Sequence, residues 1–196
     1  METSVFSEWN HSKDKFSCSL GLKANRVHFS NISINKSYYN FLPKAMLGYR
    51  LNENSFIRYD VEMSQTNPTL VELTDTEIRL DPYLAERGNL LLKPYSNLNN
   101  NLFYEHKKGL FTFNANLRHH YKHNPIMESV KEQGNIFLII PENMKSWNKY
   151  NAEMNLKVGM IKNILQFSLT GGYNHFNSQG NNYSHEYSNF YYSANV

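Results

Sequence analysis

Residues 44–63 read Lys-Ala-Met-Leu-Gly-Tyr-Arg-Leu-Asn-Glu-Asn-Ser-Phe-Ile-Arg-Tyr-Asp-Val-Glu-Met. Apolar side chains recur at every second position on both sides of a central Asn-Glu-Asn, which is the pattern of two β-strands with one apolar face each. A slip of one residue in their pairing would exchange the two faces, so the alternation indicates which residues share a face. The stretch predicts an antiparallel hairpin that pairs Tyr49 with Ile57, Leu47 with Tyr59, Ala45 with Val61 and Lys44 with Glu62.

The same alternation returns along the chain. One apolar row starts at Phe16, and a weaker row contains Leu98, Leu102 and Tyr104. Further rows predict a hairpin turning at Lys108-Gly109 and another turning at residues 161–164. These two hairpins are expected to pair Tyr104 with Phe113, Leu102 with Ala115, Met160 with Leu165, Val158 with Phe167 and Leu156 with Leu169.

The connections at the other ends of the hairpins are long. They are predicted at 65–96, 121–147 and 176–186, and the second is expected to contain a small hairpin of 126–131 with 136–140. Short turns at one end and long loops at the other are typical of bacterial outer-membrane barrels. The sequence therefore predicts an all-β, antiparallel up-and-down meander, with about 8–10 strands of a larger transmembrane barrel.

Composition supports this fold class. The 196 residues include 14 Tyr and 12 Phe but only one cysteine, Cys18, so an intrachain disulfide is excluded. The net charge of +3 is spread along the chain, which argues against nucleic-acid binding. No apolar run is long enough for a transmembrane helix, and residues 1–4 do not resemble a signal peptide. A soluble β-sandwich that binds carbohydrate or acts in adhesion is the alternative reading.

The apolar rows of the clearest strands contain no charged residue, as expected if they face lipid, where a charge costs about 2–4 kcal/mol at the bilayer midplane. The opposite rows are rich in Asn, Ser, Thr and Gln and would face a polar lumen. Because successive side chains of a strand face opposite sides, nine charged or titratable residues are expected on the lumen face. They are candidates for a substrate path or for contact with a plug. They are Lys23, Arg50, Arg58, Asp60, Glu62, Arg118, His120, Glu153 and Lys157.

No catalytic, cofactor or metal site is predicted. Asp60 and Glu62 share a face but have Lys44 and Arg58 as ordinary partners, and no Gly-x-Ser-x-Gly motif is present. The histidines of the Arg118–His123 segment suggest a metal, but His119 and His120 point to opposite faces of a strand, which leaves too few ligands. The sequence thus indicates a protein that is not an enzyme.

The first long loop carries a recognisable pattern. It contains Asn67-Pro68-Thr69-Leu70-Val71-Glu72-Leu73, then Glu86-Arg87-Gly88-Asn89-Leu90-Leu91-Leu92-Lys93-Pro94, followed by an Asn-rich strand at 97–104. From about Phe16 onward the chain resembles the barrel domain of TonB-dependent receptors. Asn67 and Leu90 depart from the usual pattern of that family, where Arg and Pro are expected.

The resemblance implies an outer-membrane receptor that imports siderophores, cobalamin or glycans, with lipid, an internal plug domain and the inner-membrane TonB system as partners. The barrels of TonB-dependent receptors have 22 strands. Residues 1–196 are therefore expected to form an interior part of the barrel of a Gram-negative outer-membrane protein, with the plug and the remaining strands absent from the segment.

Overall fold

The computed structural model describes residues 2–30, 35–160 and 165–196. Within these ranges the regular structure is entirely β, and no helix is long and apolar enough to cross a bilayer. Nine strands form one antiparallel sheet in the order β1-β2-β3-β4-β7-β8-β11-β12-β13. Their bounds are β1 Glu2–Lys13, β2 Phe16–Ser30, β3 Asn35–Asn52, β4 Ser55–Thr66, β7 Tyr95–Lys108, β8 Phe111–His123, β11 Ser146–Met160, β12 Leu165–Gln179 and β13 Ser184–Asn195.

Four short strands form a second sheet above one end of the first, in the order β5-β6-β10-β9. They come from the two long connections between strands of the large sheet. Their bounds are β5 Glu77–Arg79, β6 Leu84–Arg87, β9 Ile126–Gln133 and β10 Ile136–Asn143. The small hairpin expected inside the second connection is thus confirmed as β9–β10.

The first and third predicted hairpins have the expected register. Ala45 pairs with Val61 and Lys44 with Glu62. Val158 pairs with Phe167 in the third hairpin, whose predicted turn at 161–164 lies outside the described residues. The second hairpin is wrong by two residues, because Tyr104 pairs with Ala115 and not with Phe113. The two-residue turn lies one residue later than expected, at Gly109-Leu110, and the resulting shift of two in the pairing leaves every side chain on its predicted face.

The third predicted loop is also wrong in its extent. Residues 176–186 were expected to be a long loop, but β12 and β13 stay paired up to Gln179 and Ser184. The reason lies in cross-strand ring contacts such as that of Phe176 with Tyr187, whose centroids are 6.1 Å apart. Only residues 180–183 separate the two strands.

The two faces of the large sheet differ sharply. On the apolar face, large side chains project outward, with Leu20 49%, Leu117 55% and Met154 61% exposed. The element pairs in substantial contact within the described residues are hydrogen-bonded neighbours, so no second sheet covers this face. This arrangement does not favour the β-sandwich alternative.

The polar face is crowded in comparison. Asn40 and Asn151 on this face are buried by their neighbours although they are polar. Added side-chain atoms at Gly21 or Gly48 would collide with Lys44 or with Ser17 and Phe56. Side chains that splay apart on one face and crowd together on the other are expected of a wall that curves around its polar side.

Relative to the hydrogen-bonded register, the upper limit of the apolar face is displaced progressively from one strand to the next. Ala45 of β3 aligns through successive pairs with Ser188 of β13. The last outward aromatic residue on β3, Tyr39, lies six residues beyond Ala45, whereas on β13 Phe190 lies two residues short of Ser188. A boundary parallel to the membrane thus shifts eight residues over six strand-to-strand steps.

With about 3.3 Å per residue and about 4.8 Å between strands, this shift corresponds to a strand tilt of about 40°. Transmembrane barrels have tilts of about 35–45°. At that tilt the ten-residue rise from Leu165 to His175 spans about 25 Å, which is the height of the apolar band that such barrels present to lipid. The stepping therefore supports a membrane-spanning wall.

The second sheet and its connecting segments form a loop layer, residues 67–94 and 124–145, with two small cores. Leu73 and Leu92 are buried together against Ile126, and Ala85 packs with Leu138 and Ile140. β6 pairs in parallel with β10, so the layer joins two different connections. The loop layer is a packed unit at one end of the barrel wall.

The recognisable motif of the first connection holds this layer together. Gly88 donates its N–H to the Thr74 carbonyl (2.9 Å), and Asn89 donates to the Glu72 carbonyl (2.6 Å) and from its side chain to the Pro141 carbonyl (3.0 Å). From the second connection, Asn143 accepts from the Lys93 N–H at 2.9 Å. These residues therefore join the first and second long connections by hydrogen bonds.

Candidate functional site

All nine residues expected on the lumen side share the polar face. The register pairs Arg118 with Asn101 and Asn151, and Glu153 with Asn116 and Gly172, all on that face. The structure places the nine at several heights and does not gather them into one cluster. Their role in a substrate path or in plug contact stays a prediction.

Several of the nine form ion pairs on this face. Arg58 contacts Asp60 at 2.9 Å, Lys23 contacts Glu2 at 3.9 Å, and Arg118 contacts Glu153 at 3.7 Å. Glu153 also accepts a hydrogen bond of 2.7 Å from the Tyr191 hydroxyl. Although Lys44 and Glu62 are register partners as expected, the lysine makes its ion pair with Glu8 of β1. Over the described ranges, Arg50, His120, Glu62 and Lys157 have no ion-pair partner.

One group of charges stands out at the end nearest the loop layer. The basic mouth consists of Arg118, His120 and Lys122 on β8 and Lys149 on β11, which lie in adjacent rows of the polar face. Only Arg118 has a carboxylate partner among the described residues; His120 instead bonds the Asn99 side chain at 2.7 Å. The mouth therefore carries uncompensated positive charge on Lys122 and Lys149.

Aromatic rings lie between these basic groups. Lys122 Nζ is 5.0 Å from the centre of the Trp147 ring and 5.8 Å from that of Tyr95. Lys149 Nζ is 5.2 Å from the centre of the Phe176 ring. Cation–π contacts of this kind hold an ammonium group in place without neutralising it. The rings thus keep both lysines available to an anion.

Two cavities open at the mouth, of about 400 and 420 Å³, and both are lined by His120 and Lys149. The first extends to Arg118 and Tyr191, and the second to Lys122 and Trp147. A third cavity of about 420 Å³ lies in the loop layer above. Space, positive charge and aromatic surface therefore coincide where the loop layer meets the polar face.

Sequence reasoning missed half of the mouth. Lys122 lies two residues after His120 and therefore faces the same side of the strand as Arg118 and His120. Extending the predicted lumen row to the next alternate residue would have included it. Lys149 was not assigned to a strand face, and Trp147 was placed at the end of the long connection predicted at 121–147. It lies on the polar face opposite Lys122, because β11 begins at Ser146 and odd-numbered residues face inward there.

On the apolar face at the same height, His119 stacks on Tyr150, with ring centroids 4.5 Å apart. Its Nε2 lies 3.1 Å from Asn148 Oδ1. Among the described residues, no group of three or more His, Cys, Asp or Glu side chains could hold a metal ion. The ring pair marks the upper rim of the apolar band, where aromatic girdles occur in outer-membrane barrels.

A family model described as "Outer membrane protein beta-barrel family" matches residues 3–196. The chain belongs to this family. As a member, it is a barrel protein of the Gram-negative outer membrane, which confirms the fold class and the location inferred from the sequence. The nine strands of the large sheet in the described residues fall within the expected 8–10. No functionally curated protein matches the sequence significantly.

Solved structures with the same fold include two receptors and an iron transporter. The siderophore receptor PirA of Pseudomonas aeruginosa superposes with a TM-score of 0.71 at 15% identity, over 98% of this chain and 40% of the receptor. The ferric enterobactin receptor PfeA gives 0.68 at 16% identity, over 98% and 32%. The FrpB iron transporter of Neisseria meningitidis gives 0.60 at 13%, over 97% and 25%. This family member thus spans 40% or less of those receptors.

Proposed function

We propose that this chain is part of the barrel of a TonB-dependent receptor, and that the receptor imports an anionic solute across the outer membrane. The similar proteins PirA and PfeA are a siderophore receptor and a ferric enterobactin receptor, which supports the receptor class. The plug domain and the TonB system would act through parts of the protein outside residues 1–196. On this view the protein transports and does not catalyse.

The observation that carries the solute class is the basic mouth. Lys122 and Lys149 lack carboxylate partners within the described residues, whereas Lys23, Arg58 and Arg118 have them. An unbalanced positive site at the entrance of a low-dielectric wall attracts anions and raises their local concentration. Cobalamin and neutral glycans gain nothing from such a site, so it favours the siderophore class among the solutes expected from the sequence.

Ring surface adds a second preference. Trp147, Tyr95 and Phe176 present apolar faces beside the two lysines. An anionic solute with aromatic groups of its own would stack on these rings while its charge meets the ammonium groups. A ferric tricatecholate chelate combines both properties and is the probe of choice.

The test is uptake of a radiolabelled ferric tricatecholate chelate by cells that express the full-length receptor, with cobalamin and a maltooligosaccharide as neutral probes. We expect uptake of the chelate alone, abolished by a proton uncoupler. The double variant Lys122→Gln/Lys149→Gln should weaken chelate binding about tenfold or more. The matched control is Lys107→Gln/Lys108→Gln at the opposite end of β7, which should bind as the parent does.

Two results would contradict the proposal. Uptake that is indifferent to the uncoupler would reject the TonB-dependent class. Equal chelate affinity of the mouth variant and the control, with the neutral probes imported as well as the chelate, would reject the anionic solute.

A further inference from the structure

We propose that the apolar face of β1–β3 carries a binding site for the phosphorylated headgroup of an outer-leaflet glycolipid. The site is a shallow groove of about 450 Å³ lined on this face by Thr3, Val5, Ala24, Arg26, Tyr39 and Phe41. It is separate from the basic mouth, which lies on the other face of the sheet. The inference does not depend on the identity of the imported solute.

The groove arises from side-chain size. Val5, Ala24 and Phe41 stand side by side on three neighbouring strands. The methyl group of Ala24 leaves a valley between the flanking residues, whose side chains are 73% and 62% exposed. A valley of this kind, one strand wide and apolar on both walls, fits a single acyl chain.

A cation sits at the upper end of the groove. The Arg26 guanidinium lies over the Tyr39 ring at 5.6 Å, and its Nη2 donates to Ser37 Oγ at 3.4 Å. His28 lies next to it and also contacts Ser37 Oγ, at 2.9 Å. Most N–H groups of the guanidinium therefore remain available, and a guanidinium matches the geometry of a phosphate.

Charge on this face is uncompensated. In the described parts of β1–β3, no Asp or Glu shares the apolar face, and Arg26 has no ion-pair partner. By contrast, Lys23 and Lys44 on the polar face pair with Glu2 and Glu8. An arginine that faces the lipid boundary without a protein counterion calls for an anion from the membrane.

The height of the groove selects the leaflet. Tyr39 is the last outward aromatic residue of β3 before Ser37, so Arg26 and Tyr39 lie at the upper limit of the apolar band. This limit faces the long connections, which are extracellular in outer-membrane barrels. The lipid at that level belongs to the outer leaflet, where a phosphorylated glucosamine headgroup offers phosphate to Arg26 and a sugar face to Tyr39.

The experiment uses the protein extracted from outer membranes in mild detergent, with diphosphoryl lipid A as the probe and native mass spectrometry as the readout. We expect Arg26→Gln and Ala24→Leu each to lower lipid A affinity about tenfold, the first by removing the cation and the second by filling the valley. Lys13→Gln, on the same face at the opposite boundary, is the matched control and should retain the lipid. Heat-modifiable gel mobility establishes that each variant is folded.

Further arms separate the sources of the anion. Dephosphorylated lipid A should bind no better to the parent than to Arg26→Gln. Equal lipid A affinity of the parent and Arg26→Gln, displacement by inorganic phosphate, or equally tight binding of phosphatidylglycerol would each overturn the proposal.

Discussion

The phenol ring of Tyr191 lies directly over Gly172, so that a methyl group on this glycine would stand 2.3 Å from Tyr191 Cζ. The ring belongs to edge strand β13 and reaches across β12. Its hydroxyl donates to Glu153 (2.7 Å) and accepts from Asn151 Nδ2 (3.1 Å). The missing side chain of Gly172 is therefore what lets three strands share one hydrogen-bond network.

Gly172→Ala should break this network. Because Tyr191 has to rotate away, its hydrogen bonds to Glu153 and Asn151 are lost, at a cost of about 1–3 kcal/mol. Gly171→Ala is the matched control, since nothing lies within 4 Å of an added methyl group there. Urea unfolding in detergent should show a lower midpoint for Gly172→Ala alone. Equal midpoints for the two variants would show that the ring does not depend on this glycine.

Gly88→Ala should loosen the loop layer and leave the barrel wall intact. A methyl group at Gly88 would stand 2.4 Å from the Thr74 carbonyl oxygen and 2.6 Å from that of Glu72, and backbone atoms cannot rotate aside. We expect faster proteolysis within residues 67–94, together with unchanged heat-modifiable mobility. Proteolysis at the parent rate would contradict the structural role of the motif.

A charge on the apolar face should be costly. Met154 is 61% exposed near the middle of the apolar band, so Met154→Arg should destabilise the barrel by about 2–4 kcal/mol in lipid. Asn116→Arg, on the polar face beside Glu153, is the control and should cost far less. Unfolding of both variants in lipid vesicles measures the difference, and a similar loss in both would argue against a lipid-facing row.

Residues 1–196 expressed alone should aggregate in buffer without detergent. The outward rows are largely exposed, and β1 and β13 are unpaired edges of the sheet in the described chain. Such edges and apolar rows promote association between copies. Light scattering and a thermal melt test this expectation; a monodisperse monomer with a cooperative transition would refute it.

The strands of the wall were largely predictable from the sequence, because period-two alternation around a polar turn allows few pairing registers. Around Asn52–Asn54 it gave every predicted pair correctly. At Gly109 it failed by two residues, since a shift of two preserves both faces and alternation cannot detect it. Pairing over the long β12–β13 hairpin was missed because Asn, Ser and Gly dominate its end.

The loop layer and half of the mouth could not be predicted in the same way. Gly88, Asn89 and Asn143 act through backbone contacts with residues about 15 to 50 positions away, which no local pattern encodes. Lys149 joins Lys122 only through the β8–β11 register, and the intervening connection hides that register from the sequence.

The parallel pairing of β6 with β10 has a mechanical consequence. The two connections leave the wall from different hairpins, yet Leu138 and Ala85 meet in a common core and their strands are joined by a ladder. Neither connection can move away from the wall without moving the other or breaking the β6–β10 hydrogen bonds. A displacement of one connection must therefore displace the other with it for as long as the β6–β10 ladder stays intact.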